Sequence, residues 1–265
     1  MRFCDPCRTA ALCGATLALA AALGPAGAAP EAMADVSALA ARVAVTEPPL
    51  LPQSADLGYR TTATMKLMGL PVTLHGKTTI QWRLDNGHYE THLHIDTVEF
   101  DQSSRGQLAA DGALVPDRYE EKRPFHEADT VDIDWTHGRI QFGNAPPAPS
   151  PVGGAQDRLS LQFELARLLQ RFPERFAPGS AHSVNLIGTH DVDTWKFSAD
   201  DEKSVDTGRG AMRAVRFSAR RTVGSVEETM DIWLGADLRW LPIRVRIVDR
   251  KGSIIDSVLE DAVVL

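Results

Sequence analysis

VTLHGKTTIQWRLDNGHYETHLHIDTV, residues 72–98, decides the fold. Asp85-Asn86-Gly87 interrupts two stretches of alternating apolar and polar residues, and Asn and Gly tolerate the positive φ that a tight hairpin turn demands. The alternation predicts one strand ending at Leu84 and its antiparallel partner over His88–Val98. On the second strand Tyr89, Thr91, Leu93 and Ile95 share one face, and His88, Glu90, His92, His94 and Asp96 share the other.

The same pattern continues in both directions. Upstream, a hairpin is expected from Tyr59 to Met68, turning at Gly69-Leu70-Pro71 and returning through Val72 to Leu84. Downstream, strands are expected over Arg105–Ala110, Val115–Lys122, Val131–Trp135 and Arg139–Phe142. Four prolines and two closing glycines in Gly143–Gly154 should stop both ladder and helix. A helix is then expected over Asp157–Arg171, capped by Asp157, with Leu161, Leu165 and Leu168 at helical spacing and Pro173 beyond its end.

A second β block follows, over Val184–Ile187, Val192–Phe197, Met212–Val223, Val226–Leu234, Leu241–Val248 and Ile254–Val264. Leu241, Ile243, Val245 and Ile247 point one way and Arg244 and Arg246 the other, so the sheet has one buried and one wet face. About eleven strands and one internal helix make the chain mainly β: a large curled antiparallel sheet, open and barrel-like or a sandwich, since curling deals with exposed edges.

The 265 residues open with Arg2 and Arg8 before an apolar run, Ala10–Leu23, and the small residues Ala26-Gly27-Ala28-Ala29. That is the layout of a signal peptide, residues 1–28, too short to span a bilayer as a helix. Cys4, Cys7 and Cys13 all fall inside it. The Cys4-Asp5-Pro6-Cys7 spacing lacks the βαβ context of a redox motif. Residues 29–55 read as an Ala/Pro-rich linker or arm, and 56–265 as a single β-rich domain. Loss of Arg2, Asp5 and Arg8 takes the net charge from −7 to −8, giving a soluble periplasmic product with no transmembrane segment. This acidic balance excludes the basic footprint of a nucleic-acid binder.

Two constellations carry chemistry. His92, His94 and Glu90 on one strand face could hold zinc, because alternate residues lie about 6.6 Å apart and their rings can tilt together. The competing reading is a solvated face. Arg213, Arg244 and Arg246 with Trp233 could receive an anionic headgroup, since Arg presents a fork that fits such groups. The competing reading is cross-strand ion pairing with Glu227, Glu228, Asp231 and Asp249. His126-Glu127 has Thr130 where a zinc protease needs its second His, and no G-x-S-x-G frames a catalytic serine.

From about Leu57 onward, Ser104-Arg105-Gly106, Asp111–Tyr119, Gln156–Leu161, Ile232–Asp237 and Leu241–Val245 resemble the uncharacterised exported bacterial family catalogued as domain of unknown function 3108. The resemblance implies a mostly β exported domain and brings no catalytic residues. The function expected is non-enzymatic, binding a lipid or amphipathic envelope molecule in a curled sheet plugged or lidded by the helix. The alternatives are a metal-dependent hydrolase of envelope components, and a structural or assembly factor docking a protein partner.

Overall fold

Asp85 pairs with His88 across a two-residue turn in which Asn86 has φ 49° and Gly87 φ 78°, so the deciding hairpin closes where its residues require. The computed structural model describes residues 50–68, 70–151, 153–223 and 226–265. The expected signal peptide with its cysteines and most of the expected arm lie outside them.

The described residues form sixteen strands and one α-helix. The first nine strands are β1 (Ser54–Leu67), β2 (Leu70–Asp85), β3 (His88–Ile95), β4 (Phe100–Leu108), β5 (Leu114–Lys122), β6 (Asp129–Asp134), β7 (Arg139–Phe142), β8 (Ala148–Pro149) and β9 (Gln156–Asp157). The helix α1 (Ser160–Arg171) comes next. It is followed by β10 (Ala181–Ile187), β11 (Val192–Ala199), β12 (Lys203–Thr207), β13 (Gly210–Val223), β14 (Val226–Gly235), β15 (Pro242–Val248) and β16 (Ile254–Val264). One sheet contains them all, in the order β8-β7-β6-β5-β4-β3-β2-β1-β16-β15-β14-β13-β11-β10-β9, with β12 paired to β13. Pairing is antiparallel except between β9 and β10.

The sheet is open, and it curls. Register shifts at Gly58/Tyr59, Arg105/Gly106 and Trp233/Leu234 mark bulges that bend their strands. At Gly106 a Cβ would sit 2.1 Å from the Val115 carbonyl oxygen, so the approach there requires glycine. The curl brings β9 back to the β4–β5 region, where Ser104 Oγ donates to Asp157 Oδ2 at 2.6 Å and Gln156 Nε2 donates to the Leu114 carbonyl at 2.8 Å. Ile80, Trp82 and Tyr89 from β2 and β3 share one core cluster with Phe217, Ile232, Ile243 and Leu259 from β13, β14, β15 and β16.

Several expected boundaries change. The first strand begins at Ser54 because Ala55 and Leu57 continue Tyr59's inward alternation, each no more than 2% exposed. Leu51 and Pro52, read as linker, are buried, and the Trp82 indole N–H donates to the Pro52 carbonyl at 2.8 Å. β3 stops at Ile95, where Asp96–Val98 turns as a 3₁₀ helix. The proline-rich loop holds the two-residue β8 at the sheet's edge, where Pro149 needs no N–H for the ladder. The helix starts at Ser160; Asp157 belongs to β9, yet its Oδ1 accepts from the Leu159 and Ser160 N–H groups at 2.9 and 2.8 Å, which is the expected capping chemistry.

α1 is enclosed by the curl. Leu161, Phe163, Leu165, Ala166 and Leu169 are buried, and so are Gln162, Glu164 and Arg167. Burial of a charge requires a partner. Arg167 Nε and Nη2 bind the Glu164 carboxylate at 2.9 and 2.6 Å, and Glu164 Oε2 accepts the Leu114 N–H at 3.1 Å, which ties the helix to the β4–β5 turn. No helix among the described residues is long and apolar enough to cross a membrane.

Candidate functional site: an apolar cavity inside the curl

Inward side chains pack solidly around most of α1. Trp82 stacks on Phe163 with ring centroids 4.4 Å apart and on Tyr89 at 5.4 Å. Beyond the N-terminal end of the helix the same inner face encloses a cavity of about 430 Å³, within the range of roughly 300–1,000 Å³ typical of small-molecule sites. Ile80, Leu93, Ile95 and Phe100 supply apolar wall from β2, β3 and β4, and Met230, Ile232, Val245 and Ile247 supply it from β14 and β15. Hydroxyls lie between these walls: Thr61 Oγ1 contacts Thr78 Oγ1 at 2.6 Å and Ser257 Oγ at 2.8 Å, and Thr78 and Ser257 both line the cavity.

The charged lining gathers at one end. Glu121 closes β5 and Arg123 follows it, Asp249, Arg250 and Lys251 form the β15–β16 turn, and Glu228 lies near the start of β14. Antiparallel alternation along the sheet sets all of these at the same edge, and Arg250 and Lys251 are exposed there, making it the mouth. Glu121 is 2% exposed. Burial alone would raise its pKa, but the Arg158 charge, the Gln102 amide and Arg123 together hold it below the usual carboxylate range. Arg123 Nε and Nη2 bind Glu121 Oε1 at 2.8 and 2.5 Å, and Gln102 Nε2 and the Tyr119 hydroxyl each donate to Oε2 at 3.0 Å. Burial, with the Glu121 charge second, pushes the Tyr119 phenol well above its ordinary value, so it stays a donor. Glu228 binds Arg221 Nε at 2.5 Å and Arg250 Nε at 2.8 Å.

Arg158 and Gln162 stand at the junction of helix and cavity. The Gln162 side chain is in a residue only 5% exposed, yet its carboxamide makes no hydrogen bond among the described residues and its Oε1 is buried without a partner. Buried polar groups are ordinarily satisfied. Below them Asp157 is fully buried, and that burial raises its pKa despite the hydrogen bonds from Ser104, Ser160 and Leu159.

The residues singled out in the sequence lie elsewhere. His92, His94 and Glu90 are on the outer face of β3. His92 Nε2 is 3.0 Å from Glu90 Oε1, whereas His94 Nδ1 is 2.7 Å from Asp101 Oδ1, so the two imidazoles turn to different carboxylates. Among the described residues no three His, Cys, Asp or Glu side chains gather in a metal-holding group. Arg244 and Arg246 point outward, paired to Asp256 at 2.6 Å and to Asp231 at 3.9 Å. Trp233 lies under the Arg244 guanidinium, 4.7 Å from ring centroid to Cζ. Arg213 pairs with Glu202 at 3.0 Å and Asp237 at 3.3 Å. The acidic stretch around Trp195 partners this arginine-rich strand, Asp193 binding Arg221 and Asp200 binding Arg216. None of Arg213, Trp233, Arg244 and Arg246 lines the cavity.

Sequence reasoning missed the cavity's polar set, Glu121, Arg123, Arg158, Gln162, Arg250 and Lys251. The available signal was Arg158 and Gln162 flanking the apolar residues at the start of the helix. Nothing in the alternation says which end of a curled sheet stays hollow.

The family model described as Protein of unknown function (DUF3108) matches residues 59–259. No curated protein matches the chain. Among solved structures, the chain is similar to a β-barrel-like protein of domain of unknown function DUF1849 from Brucella abortus, with TM-score 0.54 and 11% identity over 81% of this chain and 99% of that one. A DUF1329 family protein from Desulfovibrio piger gives TM-score 0.26 and 10% identity over 80% and 85%. A putative outer membrane lipoprotein-sorting protein domain from Vibrio parahaemolyticus gives 0.24 and 7% over 80% and 85%. Of these three, the Brucella protein shares the fold.

Proposed function

This chain belongs to the DUF3108 family, and we propose that it is a non-enzymatic periplasmic protein that holds a lipid or other amphipathic envelope molecule inside its curled sheet. The observation that carries the reading is the cavity: apolar walls from both arms of the curl, a charged mouth at one end, and packed core at the other. A lipid tail gains about 25 cal/mol for each Å² of apolar surface it removes from water, and apolar walls suit it in a way that a polar cleft does not. Curling rather than full closure leaves hairpin ends around the mouth, through which a chain can enter.

The signal-peptide layout expected over residues 1–28 supports the periplasmic location, and the amphipathic cargo is one that an envelope compartment supplies. The experiment is to purify the protein from the periplasm under native conditions, extract it with organic solvent and analyse the extract by mass spectrometry. About one equivalent of an amphiphile per chain is expected. Clean extract, together with no binding of the fluorescent fatty acid cis-parinaric acid to the stripped protein, would overturn the proposal.

A further inference from the structure

The geometry points to a single-chain amphiphile with an anionic headgroup as the ligand, its head held by Arg158, Gln162 and Lys251 of the cavity lining. This inference rests on the proposal that the cavity binds a lipid, and names the class.

Size limits the tail. A methylene takes roughly the room of a water molecule, about 30 Å³, so a cavity of about 430 Å³ accepts one chain of about a dozen carbons and no second chain.

Charge decides the head. The lining contains four cations, Arg123, Arg158, Arg250 and Lys251, and three anions, Glu121, Glu228 and Asp249. The anions are already engaged: Glu121 by Arg123, Gln102 and Tyr119; Glu228 by Arg221 and Arg250; Asp249 by the Lys251 and Ser253 backbone N–H groups, both at 2.8 Å. Arg123 and Arg250 are engaged by the same bonds. Arg158 faces Glu121 electrostatically, but neither it nor the Lys251 ammonium makes a hydrogen bond or ion pair among the described residues. Two cations of the cavity lining thus remain with their donors uncommitted.

The Gln162 carboxamide independently indicates a ligand there. It is nearly buried, lines the cavity and has no partner, a costly arrangement unless an occupant completes it. The buried, unpartnered atom is the acceptor Oε1, so it is with the carboxamide turned over, its N–H₂ in that place, that Gln162 donates to a carboxylate or phosphate oxygen, beside the Arg158 fork, which donates to such an oxygen pair in bidentate fashion. A cationic head would be repelled by the Arg158 and Lys251 charges, and a neutral head would leave their N–H donors without a charged acceptor.

The test is displacement of cis-parinaric acid by three amphiphiles of equal chain length: dodecanoate, neutral monododecanoylglycerol and dodecyltrimethylammonium. Dodecanoate is expected to compete about tenfold or more better than the neutral lipid, with the cation weakest. Arg158→Gln should bring dodecanoate to within about threefold of the neutral lipid. Lys251→Gln, on an exposed turn, should act in the same direction to a smaller extent, and it remains informative if Arg158→Gln fails to fold. Equal displacement by all three probes, or undiminished preference for dodecanoate in both variants, would overturn the headgroup assignment with the cavity reading intact. Failure of cis-parinaric acid to bind at all would instead remove the cavity reading and the headgroup with it.

Discussion

Two ends of one interior differ in how they are filled. Around the body of α1, Trp82, Tyr89 and Phe163 stack and Glu164 with Arg167 fastens the helix to the β4–β5 turn. Beyond the helix's first turn, residues of the same strands, facing the same way, surround open space. Ile80 and Trp82 are two residues apart on one face of β2; Ile80 lines the cavity, whereas Trp82 is fully buried against the helix. Interiors ordinarily pack to crystal-like density. A hollow alongside a filled core, lined by greasy side chains and rimmed by charge, is where, on the proposed function, a ligand would complete the packing.

Changes at the filled end should cost most. Trp82→Ala removes the ring stacked on Phe163 and the indole donor to Pro52, and should lower unfolding free energy by about 3–5 kcal/mol in denaturant titration. Arg167→Met leaves the Glu164 carboxylate buried with only the Leu114 N–H and should cost about 3 kcal/mol. Adding Glu164→Gln to it should recover most of that loss, because what hurts is the unpaired charge.

At the junction of the two ends, Asp157→Asn separates capping from charge. Burial raises the folded Asp157 pKa, so the folded state binds its proton more tightly than the unfolded chain does. Wild-type stability therefore carries a cost from this group above its folded pKa, and that cost fades as pH falls toward the unfolded value of about 3.9. The stability of the wild type relative to Asp157→Asn should rise over that interval, measured by melting temperature against pH. Glu121 works in the opposite sense: its lowered pKa contributes stability above about pH 4.3 that is lost on further acidification. At the hollow end, the double variant Leu93→Trp with Ile247→Trp should change stability by less than about 1 kcal/mol, whereas overpacking a filled core costs about 1–3 kcal/mol.

The sheet was legible because alternation and turn chemistry are local. Asn86-Gly87 placed one hairpin correctly, and Ile254–Val264 matches its expected strand to the residue. β12 was missed because Lys203–Thr207 is short and largely exposed and holds one buried side chain, Val205. The Gly208 and Gly210 turn beyond it was its one local signal. The leucine spacing revealed the helix, but not that Gln162, Glu164 and Arg167 are buried, since that depends on the sheet curling around most of it. The candidate site was far less legible. Histidines and arginines clustered in sequence fall on the outer face, where alternation brings like residues together. Arg123, Arg158 and Lys251 line one cavity only because the curl brings together segments distant along the chain.

Native mass spectrometry of the stripped protein with dodecanoate, run side by side on wild type and the Leu93→Trp, Ile247→Trp double variant, tests the hollow end directly. One adduct on the wild type, none on the equally stable filled variant, is the expected result. An adduct of equal occupancy on both, or none on the wild type, would show that the space beyond α1 is not where a ligand sits.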